Sequence, residues 1–114
     1  MRILNDSRKT IIAADAGVAD TPGTRLKGLL GRTSLNHPEA LIITQCRQIH
    51  MFFMKFPIDV IFVDKKGFVV GLVKNIKPFR LGPYFFRASY AIECPCGTIA
   101  KTKTMIKDKI LIEE

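Results

Sequence analysis

The spacing of apolar positions predicts a chain built mainly from short β-strands. Arg2 to Leu4 and Thr10 to Ala14 flank a polar segment rich in turn formers, which predicts an opening hairpin. Ala40 to Thr44 contains a Leu-Ile-Ile run that suits a buried strand. Ile49 to Met54 and Asp59 to Asp64 are apolar runs that predict a central hairpin.

The second half of the chain continues the pattern of short strands separated by turn signals. The turn from Asp64 to Gly67 leads into Phe68 to Val73, which predicts the third strand of a meander. Ala88 to Cys94 and Lys109 to Ile112 have the same strand character. The sheet is therefore expected to be mainly antiparallel.

Two short segments have helical signals instead. Thr21 and Pro22 supply an N-cap and a proline at the first helical position, and the leucines that follow recur at helical spacing, which predicts a helix from Pro22 to Leu30. Thr98 to Met105 follows Gly97 and predicts a second helix. The expected class is α+β, a mainly antiparallel, barrel-like sheet with one or two short helices at its margin.

Composition agrees with one globular unit. The chain has 114 residues, of which 47% are hydrophobic and 25% charged, so we expect a single domain over residues 1–114 and a monomer or small homo-oligomer. The first residues contain no apolar segment of signal-peptide length, and no membrane span is visible, which predicts a cytoplasmic protein. Three cysteines are then expected to be reduced thiols.

Charge is concentrated in one part of the chain. Residues 65–109 contain 10 basic and 2 acidic residues, a net +8, whereas residues 1–64 contribute 8 minus 6, or +2, and the last five contribute −2. Such asymmetry favours an anionic partner, although a solvated basic face has the same composition.

An ordered set of motifs makes the chain similar to a known family. The motifs are Arg25-Leu26-Lys27-Gly28-Leu29-Leu30-Gly31-Arg32, His50 to Met54, Phe56-Pro57-Ile58-Asp59, Phe62-Val63-Asp64, and Glu93 with Gly97. Together, over about residues 10–112, they resemble the domain of unknown function 192 family of small bacterial and archaeal proteins. Met51 and the Cys94-Pro95-Cys96 run depart from the family pattern. The resemblance implies a compact, barrel-like sheet domain and implies no reaction.

His50 and Asp59 are the first residues at which chemistry would be sought. If they belong to one hairpin, alternation places them on the same face but roughly 13 Å apart, at about 3.3 Å per residue, so they form no direct acid/base pair. Asp59 lies among apolar neighbours and is expected to accept hydrogen bonds from the turn at Phe56 to Ile58, or to pair with Arg25 or Arg32. An enzyme would instead bring four groups into one cleft: His50, Asp59, Glu93 and either Arg32 or Arg25.

Two further sets of residues could bind small ligands. Arg25 and Arg32 are spaced to share a helix face, where one could anchor a core carboxylate or, with Lys27, bind an anion. A soft metal set would consist of Cys46, His50, Cys94 and Cys96. Its spacing is unlike that of zinc knuckles, so we expect free thiols, no metal and no cofactor.

The remaining candidate is a basic, aromatic region. Residues 65–92 contain six basic residues and no acidic one, and the middle holds Phe79, Arg80, Tyr84, Phe85, Phe86, Arg87 and Tyr90. These rings could cover the end of a barrel, contact a partner protein or small anionic ligand, or stack on single-stranded nucleic acid, for which no motif is present. No catalytic fingerprint occurs, so the sequence favours a binding or accessory module, with an enzyme as the alternative.

Overall fold

The computed structural model describes residues 1–52 and 54–114, and its strands form two sheets rather than a closed barrel. The strands are β1 (Arg2–Asn5), β2 (Thr10–Ala13), β3 (Asp15–Ala19), β4 (Glu39–Thr44), β5 (Ile58–Val63), β6 (Val69–Ile76), β7 (Tyr90–Pro95) and β8 (Ile110–Glu113). The helices are α1 (Pro22–Lys27) and α2 (Thr98–Thr102). The predicted α+β class is confirmed, and the expectation of a barrel-like sheet is corrected, because the strand order closes neither sheet on itself.

The smaller sheet has the order β2-β1-β8. Its β1–β2 hairpin confirms the predicted opening hairpin, and β8 brings the end of the chain antiparallel to β1, with Ile3 opposite Ile112. Among the described residues, no helix is long and apolar enough to cross a membrane.

The larger sheet has the order β3-β4-β7-β5-β6 and positions the candidate sites. The β3–β4 pair is parallel. The other pairs in this sheet are antiparallel, which agrees with the predicted mainly antiparallel sheet. All six residues of β5 are buried, because this strand lies between β7 and β6 and has packed side chains on both faces.

The predicted central hairpin is wrong. Residues 49–52 form no strand of the larger sheet, and Phe53, which also belonged to the predicted strand, lies outside the described residues. The segment pairs instead with a loop: Met51 N donates to Arg80 O at 2.7 Å, and Gly82 N donates to Ile49 O at 2.9 Å. Its apolar pattern is real, since Ile49, Met51 and Met54 are buried, but a core-filling loop produces that pattern as well as a strand does.

Both helices start where the sequence predicts and end earlier. Thr21 forms a capping box with Thr24 at the start of α1. The helix ends at Lys27 because Gly28 adopts φ 48° and ψ −123°, a conformation that only glycine adopts without strain. In α2, Lys103 takes a left-handed conformation and stops the helix before Met105.

Phe85 anchors the aromatic region to the larger sheet. Its ring packs against Phe62 of β5 at 4.6 Å between centroids, and its N–H donates to Arg47 O at 2.8 Å. The ring lies directly over Gly71 of β6, where an added Cβ would be 2.4 Å from ring carbons of Phe85. Gly71 therefore makes room for the anchor.

Gly71→Ala is expected to lower the free energy of unfolding by about 2 kcal/mol, because the methyl group displaces the Phe85 ring from its packed position. Urea denaturation followed by circular dichroism measures the change. Gly17→Ala is the matched control in another strand, since a Cβ there would meet only Leu41 at an ordinary 3.6 Å. Equal stability of the two variants would show that Phe85 does not need the space above Gly71.

Candidate functional site

Two irregular segments, residues 45–51 and 79–88, lie side by side and border two separate cavities. Backbone bonds join them at Met51 and Arg80 and at Arg47 and Phe85, and the Gln48 side-chain nitrogen donates to Gly82 O at 2.9 Å. Along the first segment, Arg47 borders one cavity, whereas Cys46 and Gln48 border the other. The first segment thus borders both cavities, whereas the second borders, of these two, only the cavity that Arg47 lines.

The first cavity, which we call the basic groove, has a volume of about 450 Å³. It is lined by Arg47, Asp64, Lys65, Lys66, Phe86, Arg87, Ala88 and Ser89. Four of these are cationic side chains that come from three separate parts of the chain, and all four are exposed. The fold therefore brings together, in one groove, positive charges that are far apart in the sequence.

The cations of the basic groove have no acidic partner in the described part of the chain. The ion pairs found there involve other cations, namely Arg2, Arg8, Lys9 and Arg32. Asp64 is the one carboxylate lining the groove, and its Oδ1 accepts N–H groups of Lys66 and Phe68 at 2.9 Å each. This confirms Asp64 as a turn residue and leaves the groove with an excess of positive charge.

The aromatic region is largely exposed, and its Phe86 and Arg87 line the basic groove. The exposed fractions are 63% for Phe79, 62% for Leu81, 58% for Tyr84 and 76% for Phe86, and Arg80 is exposed as well. The ring of Phe85 packs against Phe62 of the larger sheet, whereas Tyr84 and Phe86 are exposed, and no closed barrel is present for these rings to cover. Such a surface of exposed rings and arginine is typical of contact sites.

The second cavity, which we call the Glu93 cavity, is smaller, with a volume of about 90 Å³. Its lining comes from the α1 region, the end of β4, the segment after β4, and Glu93 of β7. Apolar side chains from Leu26, Leu29, Leu30, Ile43, Ile49 and Met54 form much of it, and the polar ones are Arg25, Lys27, Cys46, Gln48, His50 and Glu93. It therefore collects three residues proposed for an active site: His50, Glu93 and Arg25.

Glu93 is the chemically unusual group in this cavity. The residue is 5% exposed, and its Oε1 has no hydrogen-bond partner in the part of the chain that the structure describes. Burial raises the pKa of Glu93 to about 7 from a usual 4.5, since the charged form is poorly solvated there. Burial likewise raises the pKa of the nearby Cys46 thiol, which disfavours a thiolate nucleophile.

Asp59 does not belong to either cavity. It is 1% exposed, and its carboxylate accepts backbone N–H groups of Asn75, Gly97 and Ile99 at 2.8, 3.1 and 3.0 Å. The prediction of backbone donors is right in kind, but their expected source, the turn at Phe56 to Ile58, is wrong, as is the alternative pairing with an arginine. Asp59 is sequestered and cannot act with His50.

The two candidate arginines lie in different surroundings. Arg32 Nη2 donates to Glu39 Oε1 at 3.0 Å on the surface, away from the residues that line the Glu93 cavity. Arg25 lines that cavity, and its Nη1 donates to Asp20 O at 3.5 Å. The expected shared helix face does not form, because α1 ends before Arg32.

The soft metal set is also dispersed. Cys94 lies buried against Asp59 O, Cys96 donates to Asn75 Oδ1 at 3.2 Å, and Cys46 donates to Gln48 O at 3.4 Å. Across residues 1–52 and 54–114, no group of three potential ligands is arranged to hold a metal.

The sequence did not reveal that Arg47, Lys65 and Lys66 line the basic groove. It also did not reveal that Gln48 lines the Glu93 cavity. Arg47 and Gln48 carry no motif, and the strand predicted beside them misplaced the segment. Glu93 was recognisable, because a lone acid within the apolar strand Tyr90–Pro95 must be buried or paired.

Residues 3–112 match the sequence profile of the DUF192 family, described as "Uncharacterized ACR". The UPF0127 protein of Thermococcus sibiricus is 34% identical over 95% of this chain and 72% of that protein. A crystal structure of a protein of unknown function from Novosphingobium aromaticivorans superposes with a TM-score of 0.82 at 22% identity, over 97% of this chain and 82% of that one. The crystal structure of a putative transcription regulator from Sinorhizobium meliloti superposes with a TM-score of 0.77 at 18% identity. The match covers 96% of this chain and 89% of that one. These two likenesses show the fold alone.

Proposed function

Because the chain belongs to the uncharacterised DUF192 (UPF0127) family, we propose its function from its own surface: it is a binding module that captures an acidic protein segment in the basic groove. The observation that carries the proposal is the open cavity of about 450 Å³ bordered by Arg47, Lys65, Lys66 and Arg87, none of which has an acidic partner among the described residues. Carboxylates of a partner would supply the missing charge.

The surroundings of the basic groove favour a protein partner over a nucleic acid. Among the described residues, Phe86 is the one aromatic ring that lines the groove, whereas stacking along a single strand uses successive rings. The exposed residues of the segment 79–88 include Leu81 as well as Phe79 and Tyr84, and apolar residues in the same segment as aromatic ones suit protein contacts. All three cysteines are free thiols, which suits a partner met in a reducing compartment such as the cytoplasm.

The double variant Arg47→Glu/Arg87→Glu is expected to weaken binding of a fluorescein-labelled oligoglutamate peptide by more than about tenfold, because two attractive contacts become repulsive. Fluorescence anisotropy at several salt concentrations measures it, and wild-type affinity should fall as salt rises. Lys74→Glu/Lys101→Glu is the matched control. Each variant lowers the formal net charge of +8 by 4, to +4, so only the location of the charge differs.

An equal loss of oligoglutamate affinity in both double variants would contradict the proposal, because net charge alone would then explain the loss. Oligothymidylate of matched charge provides the second arm. Tighter binding of oligothymidylate than of oligoglutamate, lost in Arg47→Glu/Arg87→Glu, would replace the acidic protein segment by single-stranded nucleic acid as the partner.

A further inference from the structure

The Glu93 carboxyl lies within the larger sheet, and its Oε1 has no hydrogen-bond partner among the residues that the structure describes. In register, Glu93 lies opposite Leu41 of β4 on one side and Val60 of β5 on the other. Buried carboxylates are normally paired or hydrogen-bonded, because an unpaired charge in a low-dielectric interior is costly. The unpartnered Oε1 of Glu93 is therefore the exception that needs a physical explanation.

Glu93 belongs to the lining of the Glu93 cavity. The volume of about 90 Å³ is well above the roughly 10–15 Å³ that one water requires, and it admits a ligand group of a few non-hydrogen atoms. Gly28 keeps the space beside the carboxyl open, since a Cβ built there would lie 3.8 Å from Glu93 Oε1 and 3.7 Å from Ile43 Cδ1. None of the six residues of α1 is buried, so this wall of the cavity lies at the surface.

No ion pair among residues 1–52 and 54–114 involves Glu93. Arg25 and Lys27 border the cavity, but the Arg25 guanidinium donates to Asp20 O instead. Burial alone accounts for the raised pKa of Glu93, without an opposing effect from either cation. The other titratable groups close to Glu93 are Cys46, His50 and Cys94, and the charge of Glu93 helps to raise the pKa of both thiols.

Gln48 contributes a second polar side chain to the lining of the cavity. The Gln48 side-chain nitrogen is already occupied as the donor to Gly82 O, which leaves the Gln48 amide oxygen to accept an N–H. Leu29, Ile43 and Met54 supply apolar walls of the same cavity. Two acceptors within apolar walls match a ligand that has a charged donor head and a short alkyl stem.

We propose that the Glu93 cavity is a binding site for a small aliphatic amine in its ammonium form, held by Glu93 and Gln48. A charge-assisted N–H···O bond is about twice as strong as a neutral one, so an ammonium gains more from Glu93 than an alcohol or amide does. A carboxylate ligand is disfavoured, because it would meet a like charge. The site is distinct from the basic groove and does not depend on the function proposed for that groove.

Ligand binding and proton release from Glu93 are coupled in this site. An ammonium stabilises the carboxylate and so lowers its pKa, by about one unit or more for an opposite charge in contact. Conversely, affinity for the ammonium rises as pH increases through the pKa of Glu93 and falls only when the amine itself loses its proton.

The test uses the full chain with carboxyl-¹³C glutamate and ethylammonium chloride as the probe. The carboxyl resonance of Glu93 is followed through a pH titration with and without the probe, against sodium chloride of equal ionic strength. We expect the pKa of Glu93 to fall by about one unit or more with ethylammonium only. The amide signals of Gly28 and Ile43 should shift in the same titration.

Variants and competing probes decide the assignment. Glu93→Gln should abolish the shifts at Gly28 and Ile43, whereas Glu39→Gln, which changes a half-exposed carboxylate, should retain them. An unchanged pKa of wild-type Glu93 would overturn the proposal, and so would equal shifts with acetamide or acetate. The wild-type titration suffices if Glu93→Gln does not fold. Arg47→Glu/Arg87→Glu should keep the ethylammonium response, which separates this site from the basic groove.

Discussion

Asp59→Ala is expected to lower the free energy of unfolding by about 3 kcal/mol, since it leaves three backbone N–H groups without their acceptor. The donors belong to Asn75, Gly97 and Ile99, of which the N–H of Ile99 is fully buried. Two of them start α2, whose N-cap residue Gly97 has no side chain to cap the helix. Asp59 thus caps a helix from a distant strand, and its loss uncouples α2 from β5.

Urea denaturation at neutral pH measures this change. Asp64→Ala is the matched control, because Asp64 also accepts two backbone N–H groups but does so at an exposed turn where water can replace it, and a loss of about 1 kcal/mol is expected there. Asp59→Asn should give an intermediate loss, since the amide retains one acceptor oxygen. A loss for Asp59→Ala no larger than for Asp64→Ala would refute the role of Asp59 as a buried cap.

Local signals predicted the parts of this fold that are determined locally. The start of α1 follows from Thr21 and Pro22, and the turn before β6 follows from Asp64 and Gly67, because the partners in each case lie within a few residues. Strands β4, β5 and β7 follow from apolar runs that any buried strand requires. These features depend on neighbours in sequence.

Contacts between distant residues were not predictable. Asp59 binds groups 16 to 40 positions away, which alternation within a hairpin cannot reveal. The run from Ile49 to Met54 satisfies a strand pattern, but its hydrogen-bond partners come from an irregular loop with no strand signal. Placing that run in the sheet also produced the mistaken common face for His50 and Asp59.

The two cavities also combine features that are determined locally with contacts between distant residues. The burial of Glu93 was foreseeable from its apolar neighbours, yet the space beside it depends on where Gly28 ends α1. The basic groove depends on Arg47 and Arg87 meeting across the paired segments, next to the turn that carries Lys65 and Lys66. Charge count gave the sign of the surface but not its location.

Glu93 should make the stability of the protein fall as pH rises. Its pKa is about 7 in the folded chain and about 4.5 when exposed, so between these values the folded state binds a proton that the unfolded state does not. Raising the pH through this window therefore favours the unfolded state. Relative to Glu93→Gln, the wild-type free energy of unfolding is expected to fall by about 2–3 kcal/mol between about pH 5 and 8, at 1.36 kcal/mol per pKa unit.

Parallel urea denaturation of wild type, Glu93→Gln and Glu39→Gln across that pH range isolates the effect, because each variant removes one carboxylate and leaves the other ionisable groups in place. Glu39 is a half-exposed carboxylate paired with Arg32, so its variant should keep the wild-type slope. Glu93→Gln should be the most stable of the three above neutral pH, since it removes a buried charge without changing the shape of the side chain. Parallel pH profiles for wild type and Glu93→Gln would mean that the Glu93 carboxylate is already solvated or paired in the folded protein.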